Sequence, residues 1–85
     1  MKVGMLWFDN DQKRGLNERV LRAALYYQQK YGQKPNLCFV HPSMLPEAPE
    51  AADDHKYQAG EVEVRSAPVV LPNYFWIGEQ ASVQN

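Results

Sequence analysis

The fold is decided by residues 16–31, which read LNERVLRAALYYQQKY. Apolar side chains recur there at the three- and four-residue spacing of a single helix face. They are Leu16, Val20, Ala23, Ala24, Tyr27 and Tyr31. Gly32 follows where a left-handed C-terminal residue is favoured, and Pro35 prevents the helix from continuing. The pattern predicts one amphipathic helix over residues 16–31, with Asp11 or Asn17 as a candidate N-cap.

Two short apolar segments flank this helix, Val3–Phe8 and Asn36–His41. Both carry apolar side chains at odd and even positions, which is typical of strands that are buried on two sides. A strand, a helix and a strand with short joins predict a βαβ unit, whose two strands lie parallel and are connected by a right-handed crossover.

The second half of the chain is β-rich. Residues 43–60 are acidic and contain several prolines, so we expect a long mobile loop there, with a short helix around Pro49–Tyr57 as the alternative. Glu61–Arg65 alternates charged residues with Val, as a half-exposed strand does, and Val69–Leu71 and Tyr74–Ile77 give one or two more strands.

The predicted fold class is therefore α/β, with α+β as the alternative. We expect a small mixed sheet of about four strands with one main helix packed on one face, in the order β-α-β-loop-β-β. The 85 residues, of which 45% are hydrophobic, are enough for one domain with one core. Residues 1–78 are predicted to form that domain and residues 79–85 a flexible tail.

Charge and cysteine content restrict the class of protein. Residues 1–42 carry a balance of +4 and residues 43–85 a balance of −5, which gives the net charge of −1. The asymmetry indicates either a basic binding face or mutual attraction of the two halves. Cys38 is the single cysteine, and its mid-strand position predicts a buried, inert thiol. With no disulfide possible within the chain and no apolar run long enough for a membrane span, the cytoplasm is the expected location.

The apolar content of the strands exceeds what one helix can shield. Val3–Phe8, Leu37–Val40 and Tyr74–Ile77 are apolar on both faces, whereas one helix covers one face. The second face therefore needs a cover: a second copy of the chain, another protein, or the segment 43–60. The aromatic strand supplies the candidate interaction surface, namely Tyr74, Phe75, Trp76 and Ile77. This favours a non-catalytic interaction or accessory module that forms a homo-oligomer or binds a protein partner.

A second hypothesis is a divalent-metal site. Asp9 and Asp11 follow the first strand and His41 ends the second, so parallel strands would bring them to the same edge of the sheet. Two carboxylates and an imidazole can hold Mg²⁺, Mn²⁺ or Zn²⁺, as in a metal-dependent nuclease or phosphoesterase. The simpler alternative is a turn followed by a helix cap. No other cofactor is expected, because the usual phosphate-loop and nucleophile motifs are absent from the sequence.

A third hypothesis is nucleic-acid binding at the start of the helix. The basic residues concerned are Lys13, Arg14, Arg19 and Arg22. Phosphates bind readily at such a helix N-terminus. The acids in the same neighbourhood and the negative net charge favour a solvated helix face instead.

Two stretches of the chain resemble segments of short bacterial proteins of no known activity: residues 36–46, NLCFVHPSMLP, and residues 70–78, VLPNYFWIG. This resemblance covers most of the chain outside residues 47–60 and implies no activity.

The opening of the chain, with Phe8 and Asp9 before Lys13, Arg14 and the helix, is similar to the small ferredoxin-like subunits of CRISPR adaptation. That similarity implies a nuclease role with Asp9 as the metal-binding acid. The second half departs from the same pattern, since it lacks a clear second helix and the expected final strands.

Overall fold

The helix α1 spans Leu16–Tyr31, as the apolar pattern predicted. The computed structural model describes residues 3–45 and 57–80. The strands are β1 (Val3–Phe8), β2 (Leu37–Val40), β3 (Tyr57–Ala59), β4 (Val62–Ser66) and β5 (Tyr74–Glu79), with a 3₁₀ turn at Pro42–Met44 after β2. One helix packed on a mixed sheet confirms the predicted α/β class, with five strands where about four were expected.

The two ends of α1 differ in how well they were predicted. Gly32 takes the left-handed conformation, with φ 77°, and its amide donates to the Gln28 carbonyl at 2.7 Å, which confirms it as the C-cap residue. At the start, Gly15 is the N-cap and no side chain caps the helix, so the prediction of Asp11 or Asn17 was wrong. The Asp11 carboxylate instead accepts from the Lys13 amide, which uses its capping capacity within the turn.

The strand order in the sheet is β1-β5-β2-β4-β3. Strand β5 lies between β1 and β2 and is antiparallel to both, so β1 and β2 point the same way without being neighbours. The parallel neighbour of β2 is β4. The two strands of the predicted βαβ unit therefore run parallel, as expected, with a third strand between them. The last strand of the described residues, β5, lies between the first two.

Three further boundaries differ from the predicted ones. The end of the predicted loop 43–60 forms β3, which pairs with β4 through a two-residue turn at Gly60, whereas residues 46–56, and with them most of the loop and the alternative helix, lie outside the described residues. Val69–Leu71 is not a strand, since a turn over Ala67–Val70 is closed by the Val70 amide on the Ala67 carbonyl and the prolines on either side cannot donate to a sheet. Strand β5 continues to Glu79, and the rest of the predicted tail, residues 81–85, is outside the described residues.

The main cluster of buried residues in the described part of the chain lies between α1 and one face of the sheet, whereas Leu37, also buried, lies on the opposite face. From the helix the main cluster takes Val20, Ala23 and Tyr27. The sheet contributes Cys38, Val40, Ala59, Val62, Val64, Phe75 and Ile77. Because side chains alternate along a strand, these residues define the helix-covered face, and their sequence neighbours define the opposite one, here called the outer face.

Candidate functional site

The outer face carries an apolar patch that three adjacent strands build together. The register sets Leu6 opposite Trp76, Phe8 opposite Tyr74, and Phe39 on the other side of Trp76. Leu6 is 57% exposed, Phe8 50% and Trp76 38%. We call these five side chains the outer-face patch: Leu6, Phe8, Phe39, Tyr74 and Trp76. Large apolar side chains that are this exposed and contiguous mark interaction surfaces more often than ordinary protein surface.

One ring contact and two cross-strand neighbours support the patch. The Phe8 and Tyr74 rings lie 4.9 Å apart between centroids, with 52° between their planes. Tilted aromatic pairs at this separation attract each other beyond the effect of their buried area. The cross-strand neighbours Leu6 and Phe39 flank Trp76 on its two sides. The patch is therefore a supported surface, not a set of isolated exposed residues.

The outer face becomes polar towards the other edge of the sheet. Glu63 and Arg65 on β4 share it, and Arg65 Nε donates to Glu63 Oε2 at 2.9 Å. Gln58 on β3 lies opposite Glu63. Strand β4 follows the alternation of charged residues and Val in the sequence, and both of its Val side chains lie in the core. The apolar patch thus has a charged border on one side.

The structure places the four residues of the interaction surface predicted from the sequence on two different faces of the sheet. Phe75 and Ile77 are fully buried on the helix-covered face, whereas Tyr74 and Trp76 lie on the outer face. The period of two along a strand requires this separation. Leu6, Phe8 and Phe39 join the surface instead. Their apolar parity was visible in the sequence, but their grouping depends on a strand order that the sequence pattern does not specify.

The three predicted metal ligands do not form a group. Within residues 3–45 and 57–80, no three His, Cys, Asp or Glu side chains are placed so that they could hold a metal ion. Asp9 Oδ1 accepts from the Asp11 amide at 2.9 Å, and His41 Nδ1 accepts from the Ser43 amide at 3.1 Å. Asp9 and His41 follow parallel strands that end at the same edge of the sheet. Strand β5 lies between those two strands and separates the two residues.

Asp9 instead belongs to a cluster that ties the start of the helix to the sheet. Its amide donates to the Asn73 carbonyl at 2.9 Å, and its own carbonyl accepts from Arg19 Nη1 at 3.2 Å. The same Arg19 nitrogen lies 3.3 Å from Asn73 Oδ1, and the guanidinium sits 5.9 Å from the centre of the Phe75 ring. These contacts give Arg19 a structural role in joining α1 to β1 and β5.

Two of the four residues in the predicted basic cluster, Arg14 and Arg22, lie close to acidic side chains. Arg14 pairs with Asp11 and Glu18, and Arg22 Nη1 lies 3.8 Å from Asp11 Oδ2. The hydrogen bond from the Lys13 amide, with the Arg14 guanidinium, lowers the pKa of the Asp11 carboxyl below its usual value. Because this acid stays ionised among the basic side chains, it reduces the positive electrostatic potential that would attract a phosphate.

Cys38 is fully buried in the core, and burial alone raises the pKa of its thiol to about 12. A thiol that ionises so weakly is a poor nucleophile at neutral pH. The expected inert role therefore agrees with its surroundings.

No protein-family model, curated protein or solved structure matches the chain. Among the described residues, no helix has the length and apolar character needed to cross a membrane.

Proposed function

We propose that this domain is a non-catalytic protein-interaction module, and that the outer-face patch is its binding surface. The observation that carries the proposal is the exposure of Leu6, Phe8 and Trp76 side by side on the sheet face opposite α1. Aromatic anchors at the centre of a surface and charged groups at its border are the usual anatomy of a protein–protein interface.

The partner that fits this surface is a protein presenting apolar side chains at its centre and polar groups on one side. Aromatic side chains dominate the energetics of protein interfaces, so Phe8, Trp76 and Tyr74 are the expected anchors. The Glu63–Arg65 pair lies where a polar border is needed. We propose the cytoplasm as the location, because a lone buried cysteine suits a reducing compartment.

A site-specific crosslinking experiment tests the proposal. A benzophenone amino acid is placed at position 76 in the outer-face patch, and the matched control carries it at position 25, where Leu25 is 55% exposed on the helix. Irradiation in cells should give discrete protein adducts at position 76 that are absent at position 25. Adding Tyr74→Ser should reduce the adduct by roughly tenfold or more, because it removes one of the expected anchors. Equal labelling at both positions, or none at position 76, would contradict the proposal.

A further inference from the structure

Strand β1 is an edge strand of the sheet formed by the described residues. No strand within residues 3–45 and 57–80 pairs with its outer side, because the sheet order begins with β1. The Asp9 amide bonds to the Asn73 carbonyl of the neighbouring chain segment. In an antiparallel pair, bonded and non-bonded residues alternate. Met5 and Trp7 therefore direct their backbone groups to β5, and Gly4, Leu6 and Phe8 direct theirs away from the sheet.

The composition of β1 does nothing to block pairing at this edge. Its six residues, VGMLWF, include no charged residue and no proline, and its register with β5 is continuous, without a bulge. Proteins usually protect an edge strand with a charged residue, a proline or a bulge, or by keeping the strand short. The opposite edge of the sheet shows the contrast, since β3 has only three residues. An apolar six-residue edge is a template for another strand.

We infer that β1 pairs with β1 of a second copy, in an antiparallel arrangement about a two-fold axis at Leu6. This register sets Leu6 opposite its own equivalent and Gly4 opposite Phe8. Since these are the residues with free backbone groups, each of the three facing pairs exchanges two hydrogen bonds. Moving the axis to Met5 would place Phe8 opposite a residue before β1 and leave fewer facing pairs within the strand.

The side chains of this register are complementary on both faces. On the outer face, the Phe8 ring meets Gly4 of the second copy, which has no side chain to obstruct it, and aromatic–glycine pairs of this kind are used to fix strand register. On the helix-covered face, Met5 meets Trp7 of the second copy, and sulfur–aromatic contacts are favourable. A groove of about 460 Å³ beside Met5 and Trp7, lined on the helix side by Tyr26, Gln29 and Lys30, gives these side chains room. With no charge in β1, the strand does not repel itself.

The paired strands would join two sheets into one and make the two outer-face patches continuous across Leu6. A six-residue edge buries less surface than the roughly 1,200 Å² or more of a standard interface, so we expect a dimer that dissociates on dilution in the micromolar range. Dimerisation through β1 does not require the outer-face patch to bind another protein.

Reciprocal charge substitutions at the two-fold axis test this arrangement. Leu6→Lys and Leu6→Glu each place like charges opposite one another, and each variant should be monomeric by analytical ultracentrifugation at about 100 µM, where the unsubstituted chain is dimeric. Mixing the two variants places Lys opposite Glu and should restore a 1:1 dimer. Leu25→Lys, at a helix position of similar exposure, is the control and should leave the dimer unchanged. Circular dichroism confirms that each variant is folded.

Several outcomes would overturn the β1 dimer. They are an unsubstituted chain that is monomeric at about 100 µM, a dimer that persists in both Leu6 variants, and a mixture of the variants that stays monomeric. A crosslinked adduct at position 76 with a different protein, together with a monomeric chain, would remove the dimer and leave the proposed function standing. A dimer without any adduct at position 76 would support the β1 dimer and contradict the proposed function.

Discussion

Tyr27 connects the helix to the far end of β5 through one hydrogen bond. Its ring is fully buried, and its hydroxyl donates to Glu79 Oε2 over 2.7 Å. Burial raises the pKa of this phenol to about 12, and the hydrogen bond to the Glu79 carboxylate adds to the effect. The folded state therefore holds Tyr27 neutral at pH values where the unfolded chain would ionise it.

We predict that Tyr27→Phe lowers the free energy of unfolding by about 1–3 kcal/mol at pH 7, as loss of a hydrogen bond to a charged group does. The stability that Tyr27 gives is complete below its unfolded pKa of about 10 and is lost as pH rises through its folded pKa of about 12. The difference between the two proteins should therefore shrink from pH 10 to 12. Urea unfolding at several pH values measures it.

The control for this prediction is Tyr31→Phe, because Tyr31 is 40% exposed. It should change stability by less than about 0.5 kcal/mol. A Tyr27→Phe deficit that stays constant between pH 9 and about 12 would show that the hydroxyl is not held neutral by the fold.

For single residues, the sequence predicts which side chains are buried better than it predicts which side chains contact each other. The helical spacing correctly placed Val20, Ala23 and Tyr27 on the buried face of α1, but it placed Tyr31, which is 40% exposed, on the same face. The alternation of side chains along a strand puts Trp76 and Phe75 on opposite faces of the sheet, but it does not say which of those faces the helix covers. The Tyr27–Glu79 bond joins residues 52 positions apart, and no local pattern relates them.

The β3–β4 hairpin shows why a short element escapes prediction. Strand β3 has three residues, too few to show an alternating pattern, and it joins β4 through a turn in which Gly60 has φ 61°. Leu21 of α1 lies against the same turn, since a Cβ on Gly60 would come within 3.0 Å of Leu21 Cδ2. The hairpin is therefore fixed by its glycine and by the helix, neither of which is a strand signal.

We predict that Gly60→Ala destabilises the protein by about 1–2 kcal/mol, because a side chain at positive φ is strained and the new methyl group meets Leu21. Urea unfolding of the two proteins gives the difference in the free energy of unfolding. Adding Leu21→Ala separates the two causes, since it removes the close contact and leaves the backbone strain. If Gly60→Ala is neutral, the turn does not need a left-handed residue.

Strand β5 is the element on which the whole molecule depends. It is the last described strand of the chain, yet it lies between β1 and β2 and pairs with both. Its inner side chains, Phe75 and Ile77, are fully buried beneath the helix. The periodicity of the sequence predicted one helix, four of the strand segments and the class of the fold. It could not predict this insertion, because strand order is set by packing between segments that are distant in sequence.

The position of β5 leads to a prediction about how the chain folds. A chain that ends at residue 72 leaves β1 without its described strand partner and β2 with β4 alone, and it exposes the core surface that Phe75 and Ile77 fill. A core Phe→Ala substitution alone costs about 3–5 kcal/mol, a large part of the stability of a small domain. We therefore expect the fragment 1–72 to lack a cooperative unfolding transition.

Adding a synthetic peptide of residues 73–80 should restore the fold, because the missing strand brings its hydrogen bonds and its two core side chains together. Near-ultraviolet circular dichroism follows the recovery through the packing of Trp7 against Tyr26, whose rings stack at 4.5 Å. A scrambled peptide of the same composition should have no effect, since it has the apolar content without the alternation that sends Phe75 and Ile77 inward. A fragment 1–72 that unfolds cooperatively without peptide would mean that the other four strands and the helix form a stable core without β5.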